Sequence, residues 1–210
     1  MNRRNAILFL ALAAAVVAAG AGAAKPKPEQ APPDFFPLRV GDSWTYRNTS
    51  DNSEYGFKVL AEEPPTGGAP RYQVEMRAGV IVHKSFSKED GWVVLWEDRY
   101  VEHEGLQMKY EPPKKYLQNP LKPGFKWTWQ GKDSTQTDFT EKNDVVGFET
   151  VTVPAGKFRA MKLVSEVSGG NAVMTKTYWY ADGVGLVKTT TVGGAITYGS
   201  ELVDYSFKKK

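Results

Sequence analysis

Two histidines and several neighbouring carboxylates are the residues of this sequence whose types could support metal or acid–base chemistry. His83 lies in a strand-like alternation, and His103 stands between Glu102 and Glu104. A metal site needs three or four converging ligands, and in an extended strand His103 would point away from the two glutamates beside it. We therefore predict no metal site at these histidines.

The sequence also gives little support for a serine hydrolase or a glycosidase. A serine hydrolase needs a nucleophile, a histidine base and an orienting acid, and no G-x-S-x-G segment is present. A glycosidase needs two carboxylates in a cleft, but acidic pairs such as Glu62-Glu63 and Glu97-Asp98 are typical of a solvated strand face. We predict no catalytic residues, no enzymatic activity and no cofactor. A glycan-directed hydrolase that uses paired carboxylates is the alternative.

The first residues have the organisation of a secretory signal peptide. Arg3 and Arg4 precede an apolar run over residues 6–19, and small residues follow as far as Ala24. We predict a signal peptide over 1–24, because the apolar run is shorter than the roughly 20 residues that span a bilayer. No cysteine follows it. We expect an exported protein, periplasmic or extracellular, that is not a lipoprotein and has no transmembrane span after cleavage.

The positive net charge of the chain is carried by its two ends. The chain has 27 basic and 24 acidic residues, but basic residues are concentrated before residue 31 and in the basic tail, 208–210. A nucleic-acid surface needs basic residues clustered on one face, so we predict no nucleic-acid partner. Residues 25–34 are rich in proline and predict a flexible spacer. The chain has no cysteine, so disulfides are excluded.

Alternation with a period of two predicts antiparallel strands within one domain over residues 35–207. Apolar and polar residues alternate at Tyr55–Val59, Tyr72–Met76 and Phe125–Trp129, and Gly-Gly and Asp-Gly pairs separate such runs. The predicted fold class is all-β. The strands would form an antiparallel meander, either a closed or partly open barrel or a β-sandwich.

A repeated sequence pattern divides this domain into two halves. The pattern P-L-[RK]-x-G-x-x-W-T-[YW] occurs at Pro37–Tyr46 and again at Pro120–Trp129. Similar segments that start at Lys84 and Lys176 then follow in the same order, each leading to an Asp-Gly pair. Two ordered matches predict a duplication. The two pseudo-repeats cover about 35–118 and 119–207.

Three segments carry a resemblance to a known family. They are FPLRVGDSWTY at Phe36–Tyr46, TVPAGKFRAMKL at Thr152–Leu163 and YWYADGVGLVK at Tyr178–Lys188. They resemble exported bacterial proteins of the domain of unknown function 3108-like, or TapB-like, group, over most of residues 35–207. The resemblance implies an all-β envelope or secreted protein. It implies no established activity and no catalytic residue.

Two strand-like segments are apolar on both faces. One contains Trp92 and Trp96, and the other contains Tyr178 and Tyr180. Antiparallel strands usually keep one face in water, so such a strand is either covered by another layer or forms a binding surface. We predict that these four aromatic residues line an apolar groove or cavity.

These observations favour a non-catalytic exported protein of the bacterial envelope or exterior that binds an apolar or amphipathic ligand, such as a lipid or a peptide. The expected partners are an apolar small molecule, a lipid or an envelope protein. Because sheet edges can accept an added strand, a structural module that pairs strands with an envelope partner stays open as an alternative.

Overall fold

Twelve antiparallel strands and no helix make up the part of the chain that the structure, a computed structural model, describes. That part comprises residues 31–65, 67–103, 105–170 and 172–207. The predicted signal peptide, residues 25–30 of the predicted spacer and the basic tail lie outside the described residues. The strands are β1 Ser43–Asn48, β2 Glu54–Glu63, β3 Arg71–Arg77, β4 Ile81–Glu89, β5 Trp92–Tyr100, β6 Gln107–Gln118, β7 Lys126–Lys132, β8 Asp138–Val153, β9 Gly156–Gly169, β10 Ala172–Ala181, β11 Gly185–Gly193 and β12 Ile196–Ser206.

Each strand pairs with the next one along the chain, and β1 pairs with β12, so the sheet closes into a barrel. The predicted all-β antiparallel meander is confirmed in its barrel form. The alternating segments that predicted strands fall in β2, in β3 and, except for Phe125, in β7. Successive side chains along a barrel strand point alternately inward and outward, and the inward ones form a continuous core that contains Val59, Val93, Leu117 and Leu202.

The segment Asp34–Leu38, which we name the plug segment, crosses the end of the barrel where β1 begins. Phe35 is 1% exposed. The ring of Phe36 lies 5.1 Å from that of Phe86 in β4 and 5.7 Å from that of Tyr116 in β6. The plug segment therefore fills this end of the barrel interior with aromatic side chains.

Asp34 holds the plug segment in place through contacts with three other parts of the chain. Lys88 Nζ donates to both carboxylate oxygens at 2.8 Å, and Asn119 Nδ2 donates to Oδ1 at 2.8 Å. The backbone N–H of Asp34 donates to Asp182 Oδ1 at 2.8 Å. These contacts join the end of β4, the β6–β7 connection and the β10–β11 turn.

The two copies of the repeated motif adopt the same local hydrogen bonds. The N–H of Gly41 donates to the carbonyl of Val59 at 2.8 Å, and the N–H of Gly124 donates to the carbonyl of Val145 at 2.7 Å. Both glycines have a positive φ, 95° and 79°, which other residues adopt only with strain. Both valines are fully buried.

The motif tryptophans are buried to the same extent. Trp44 and Trp127 are 8% and 9% exposed. Their indole N–H groups donate to the backbone carbonyls of Val184 at 2.7 Å and Lys115 at 3.1 Å. We retain the two-repeat interpretation as a proposal. The matched glycine hydrogen bonds and the equal burial of the two tryptophans support it, although the carbonyls that the indoles contact lie in different elements, the β10–β11 turn and β6.

The ladder between β6 and β7 is the weakest seam of the barrel. Its register contains the single pair Glu111 and Lys132, and β6 carries two consecutive prolines that cannot donate to a ladder. The indole N–H groups of Trp127 and Trp129 donate to β6 carbonyls across this seam, at 3.1 and 3.2 Å. Side-chain hydrogen bonds thus replace part of the missing ladder.

The matched tryptophans give a direct test of the repeat. Trp44→Phe and Trp127→Phe each remove one indole donor and leave a carbonyl without it. We expect each to lower the free energy of unfolding by about 0.5–1.5 kcal/mol more than Trp92→Phe does, because no hydrogen bond from the Trp92 indole is present among the described residues. Urea denaturation measures all three. A large loss in one motif variant and none in the other would contradict equivalent roles.

Asp34→Asn tests the anchor of the plug segment. Burial alone would raise the pKa of Asp34, but the hydrogen bonds from Lys88 and Asn119 outweigh it and hold the pKa below 3.8. A lowered carboxyl pKa stabilises the fold above pH 3.8 and loses that contribution as pH falls through the folded-state pKa. We expect a loss of about 1 kcal/mol at neutral pH, modest because the carboxylate is partly solvated.

The loss caused by Asp34→Asn should shrink as the pH is lowered, since the wild-type carboxylate is then protonated as well. Denaturant unfolding at neutral and acidic pH measures this trend. A difference between the two proteins that does not change with pH would refute the role of the ionised carboxylate.

Candidate ligand cavity and interior ion pairs

A cavity of about 100 Å³ lies inside the barrel beside the plug segment. Aromatic and aliphatic side chains form nearly all of its lining, among them Tyr46, Phe57 and Tyr180. Lys84 is the one lining side chain that carries a formal charge at neutral pH. The cavity is therefore an apolar space with a single ammonium group in its wall.

Fixed tyrosines shape this cavity. The hydroxyl of Tyr46 donates to the carbonyl of Leu186 at 2.8 Å, and the hydroxyls of Tyr116 and Tyr180 interact by a hydrogen bond. Burial raises the pKa of Tyr116 to about 12 and the pKa values of Tyr46 and Tyr180 well above the usual range. All three are neutral at physiological pH and can serve as polar contacts.

The interior changes character beyond the cavity, where ion pairs replace apolar side chains. Lys84 Nζ donates to Asp98 Oδ2 at 2.9 Å, and the hydroxyl of Tyr110 donates to the same oxygen at 3.2 Å. Asp98 Oδ1 is buried and has no hydrogen-bond partner, an exception that it shares, among the described residues, with Gln118 Oε1. Buried polar atoms are otherwise almost always paired, so Asp98 has unused accepting capacity.

A second buried ion pair joins Lys114 in β6 to Glu141 in β8, with both side chains 14% exposed. The ammonium lies within 6 Å of the ring centres of Tyr110, Tyr116 and Trp129, a range in which cation–π attraction operates. Burial lowers the pKa of Lys114, and the charge of Glu141 opposes that shift. The pair is therefore needed to keep a charge inside the barrel.

The structure brings two of the four predicted site residues together. Tyr180 lines the cavity, and the ring of Tyr178 stacks on it at 6.0 Å. Trp92 instead packs edge-on against Trp127 at 5.5 Å. Neither Trp92 nor Trp96 lines the cavity.

Trp96 lies at a β-bulge of β5, between Leu95 and Glu97. Its indole N–H donates to Ser87 Oγ at 2.9 Å, and the guanidinium of Arg71 covers its ring at 4.0 Å. The apolar character that suggested a groove is thus satisfied by local contacts at this tryptophan.

Sequence reasoning missed Lys84 and Asp98. A signal for Lys84 was present, because it alternates with Val82 and Phe86, both buried in β4. A lysine at an inward strand position indicates a buried partner. Asp98 carried no comparable signal, because the bulge of β5 changes which residues face inward after Leu95.

The histidines do not converge with other ligands. His83 Nδ1 is 2.8 Å from Gln73 Nε2, and its Nε2 is 3.6 Å from Glu75 Oε2. No group of three or more potential metal ligands is present within the described residues. His103 lies in the β5–β6 turn, and Glu104 lies outside the described residues.

The model of the DUF3108-like family matches residues 104–193. The resemblance predicted from the sequence is confirmed over that region. No protein in a comparison with curated proteins matches the chain.

Two solved structures share the fold at low sequence identity. One, from Parabacteroides distasonis ATCC 8503, is described as a "putative lipoprotein"; it has 16% identity and a TM-score of 0.53, and the match covers 84% of this chain and 100% of that chain. The other, from Bacteroides fragilis NCTC 9343, is described as a "putative exported protein with YmcC-like fold"; it has 17% identity, a TM-score of 0.53, and coverage of 83% and 100%.

The comparisons support the coarser functional prediction and correct one part of it. Relatives of this fold are described as exported proteins or lipoproteins, and none of the descriptions names an enzymatic activity. The prediction that the protein is not a lipoprotein is contradicted, because a chain with this barrel is described as a lipoprotein. No helix of the described residues could cross a membrane.

Glu141→Gln tests whether the second ion pair is needed inside the barrel. It leaves the ammonium of Lys114 buried without its partner, and we expect a loss of about 3–5 kcal/mol in the free energy of unfolding at neutral pH. The matched control is Glu201→Gln, which removes one partner of the more exposed Lys188–Glu201 pair and should cost about 1 kcal/mol or less.

The loss in Glu141→Gln should diminish in alkaline solution. Burial lowers the pKa of Lys114 below 10.5 and Glu141 opposes that shift, so removing the charge of Glu141 lowers the pKa further in the variant. The folded variant then releases the Lys114 proton at a lower pH than the wild-type protein does, and its stability rises with pH over a wider window. Denaturant unfolding at neutral and alkaline pH measures the effect. Equal losses of unfolding free energy in Glu141→Gln and Glu201→Gln at neutral pH would show that the Lys114–Glu141 pair is no more important than a solvent-exposed one.

Proposed function

We propose that this protein is a non-catalytic component of the bacterial envelope that binds a small apolar or amphipathic ligand inside its barrel. The proposal rests on the apolar cavity, whose wall contains the ammonium group of Lys84. Binding sites of this kind combine apolar walls with a few polar groups that orient the ligand. Of the four aromatic residues predicted from sequence, the proposal keeps Tyr180 in the wall and Tyr178 behind it.

The size of the cavity restricts the ligand. About 100 Å³ is well below the roughly 300–1,000 Å³ of common small-molecule sites. An engineered apolar cavity of about 150 Å³ accepts benzene. A short alkyl group or a single ring would therefore occupy the cavity, and a longer lipid or peptide would place only one such group there.

The closed strand order favours this proposal over strand addition to a partner. A closed barrel has no edge strand to extend, and β1 pairs with β12 over six residue pairs. The β6–β7 seam is the one poorly paired ladder among the described strands, and the indoles of Trp127 and Trp129 are already bonded across it.

The interior carboxylates also favour binding over glycan hydrolysis. A glycosidase needs one carboxyl group as an acid and a second one as a base or nucleophile. Asp98 and Glu141 are instead each held by a lysine. This arrangement supports a structural or recognition role for both groups.

Filling the cavity provides the test of the proposed function. Val74 lines the cavity and is 5% exposed. We expect Val74→Leu to weaken binding of benzene at least tenfold while leaving the protein as stable or up to about 1 kcal/mol more stable, since the added carbon fills space. Titration followed by methyl and indole NMR shifts measures binding.

Val82→Leu is the matched control, because Val82 is equally buried but lies outside the cavity lining. It should reduce stability by about 1–3 kcal/mol through overpacking and leave benzene affinity unchanged. No benzene-dependent shifts at Trp44 or Tyr180 in the wild-type protein would refute the cavity as a binding site.

A further inference from the structure

We propose that the ligand's polar head contains a hydrogen-bond donor, a hydroxyl group in the simplest case, and that Asp98 Oδ1 accepts its hydrogen bond. This inference rests on the proposed function, because it assigns the head of the ligand whose apolar part occupies the cavity. The inference predicts that the site prefers a ligand with a neutral, hydrogen-bond-donating head to a ligand with a carboxylate.

The two oxygens of Asp98 are used unequally. Oδ2 accepts one hydrogen bond from Lys84 Nζ at 2.9 Å and a second from the hydroxyl of Tyr110 at 3.2 Å. Oδ1 is buried and accepts none from any described residue. A buried acceptor without a donor loses its hydration without compensation, so a donor delivered by a ligand would be favourable.

Asp98 is connected to the cavity through Lys84. The two residues are cross-strand partners in β4 and β5, and the side chain of Lys84 lines the cavity. Asp98 is 8% exposed, so this acceptor is screened from bulk water. A ligand with its apolar part in the cavity would place its head beside the ammonium of Lys84, and a shift of the Lys84 side chain would open the closed Asp98 Oδ1 to that head.

The charge balance at this point disfavours an anionic head. The ammonium of Lys84 is already neutralised by Asp98, and a second carboxylate would be repelled by Asp98 in a weakly screened site. A carboxylate also brings no donor for Oδ1. An alcohol supplies the donor and introduces no net charge.

A set of small probes of matched shape separates these possibilities in the wild-type protein. n-Butanol and methyl propyl ether have the same heavy-atom count, but the ether lacks a donor. Butyrate has a similar tail and a charged head, and n-pentane has no polar group. Titrations of the full chain, followed by the indole N–H shifts of Trp44 beside the cavity, give a dissociation constant for each probe.

We expect n-butanol to bind at least tenfold more tightly than both methyl propyl ether and butyrate. Equal affinities for n-butanol and the ether, or tighter binding of butyrate, would overturn this inference. Binding of n-pentane in the same experiment would show that the cavity itself still accepts apolar ligands. Failure of all four probes to shift Trp44 would instead overturn the proposed function itself.

Asp98→Asn tests the acceptor directly. The amide oxygen would accept from Lys84 and Tyr110, which leaves the amide NH₂ in the position of Oδ1. The site then offers a donor, and the ether can accept from it as well as the alcohol can. We expect the preference for n-butanol over the ether to fall from tenfold or more to less than twofold.

Glu201→Gln is the matched control, because it neutralises a carboxylate in an ion pair that does not line the cavity. It should keep the wild-type preference for n-butanol. A preserved preference in Asp98→Asn would overturn the role of Oδ1. Should Asp98→Asn fail to fold, the comparison of the four probes in the wild-type protein decides the inference by itself.

Discussion

Twelve strands enclose more space than an eight-stranded barrel, whose interior is about filled by its own inward side chains. The remaining features of the structure follow from the need to fill that space. Large rings occupy much of it, as where Tyr46 stacks on Tyr55 at 5.3 Å. The chain also folds a plug segment, with Phe35 and Phe36, across one end. The cavity is the volume that these side chains leave unfilled.

The large interior of the barrel leaves room for charged side chains, but the need to fill space does not explain why these residues are charged rather than apolar. A buried ion pair is seldom more stabilising than apolar side chains of similar volume. Lys84 and Asp98 nevertheless lie beside the apolar cavity, with one carboxylate oxygen unpaired. Stability alone gives no reason for this arrangement, whereas recognition of a polar head gives one. This contrast supports our proposal that the cavity and the ion pair form one amphipathic site.

The strand pattern was predictable from the sequence because an antiparallel strand with one buried face imposes a period of two. The motif glycines and tryptophans were also readable, since a positive φ at Gly41 and Gly124 and a buried indole beside each follow from residue type and spacing. The site was only partly predictable. Of the residues predicted to form a site, Tyr180 lies in the wall of the proposed cavity, whereas Trp96 does not. A bulge at that tryptophan shifts the register, and local sequence does not show where bulges fall.

The tryptophans illustrate how this fold compensates for irregular strands. Five of the six indoles donate a hydrogen bond within the described residues, three of them to backbone carbonyls. Those three are Trp44, Trp127 and Trp129. Two of them act where prolines deprive β6 of ladder donors, and the third bonds to a carbonyl in the β10–β11 turn. An indole can bury a large ring and still satisfy a carbonyl. Trp127 therefore serves core packing and the β6–β7 seam at once, and Trp44 serves core packing and holds the β10–β11 turn. Neither phenylalanine nor leucine could donate these hydrogen bonds.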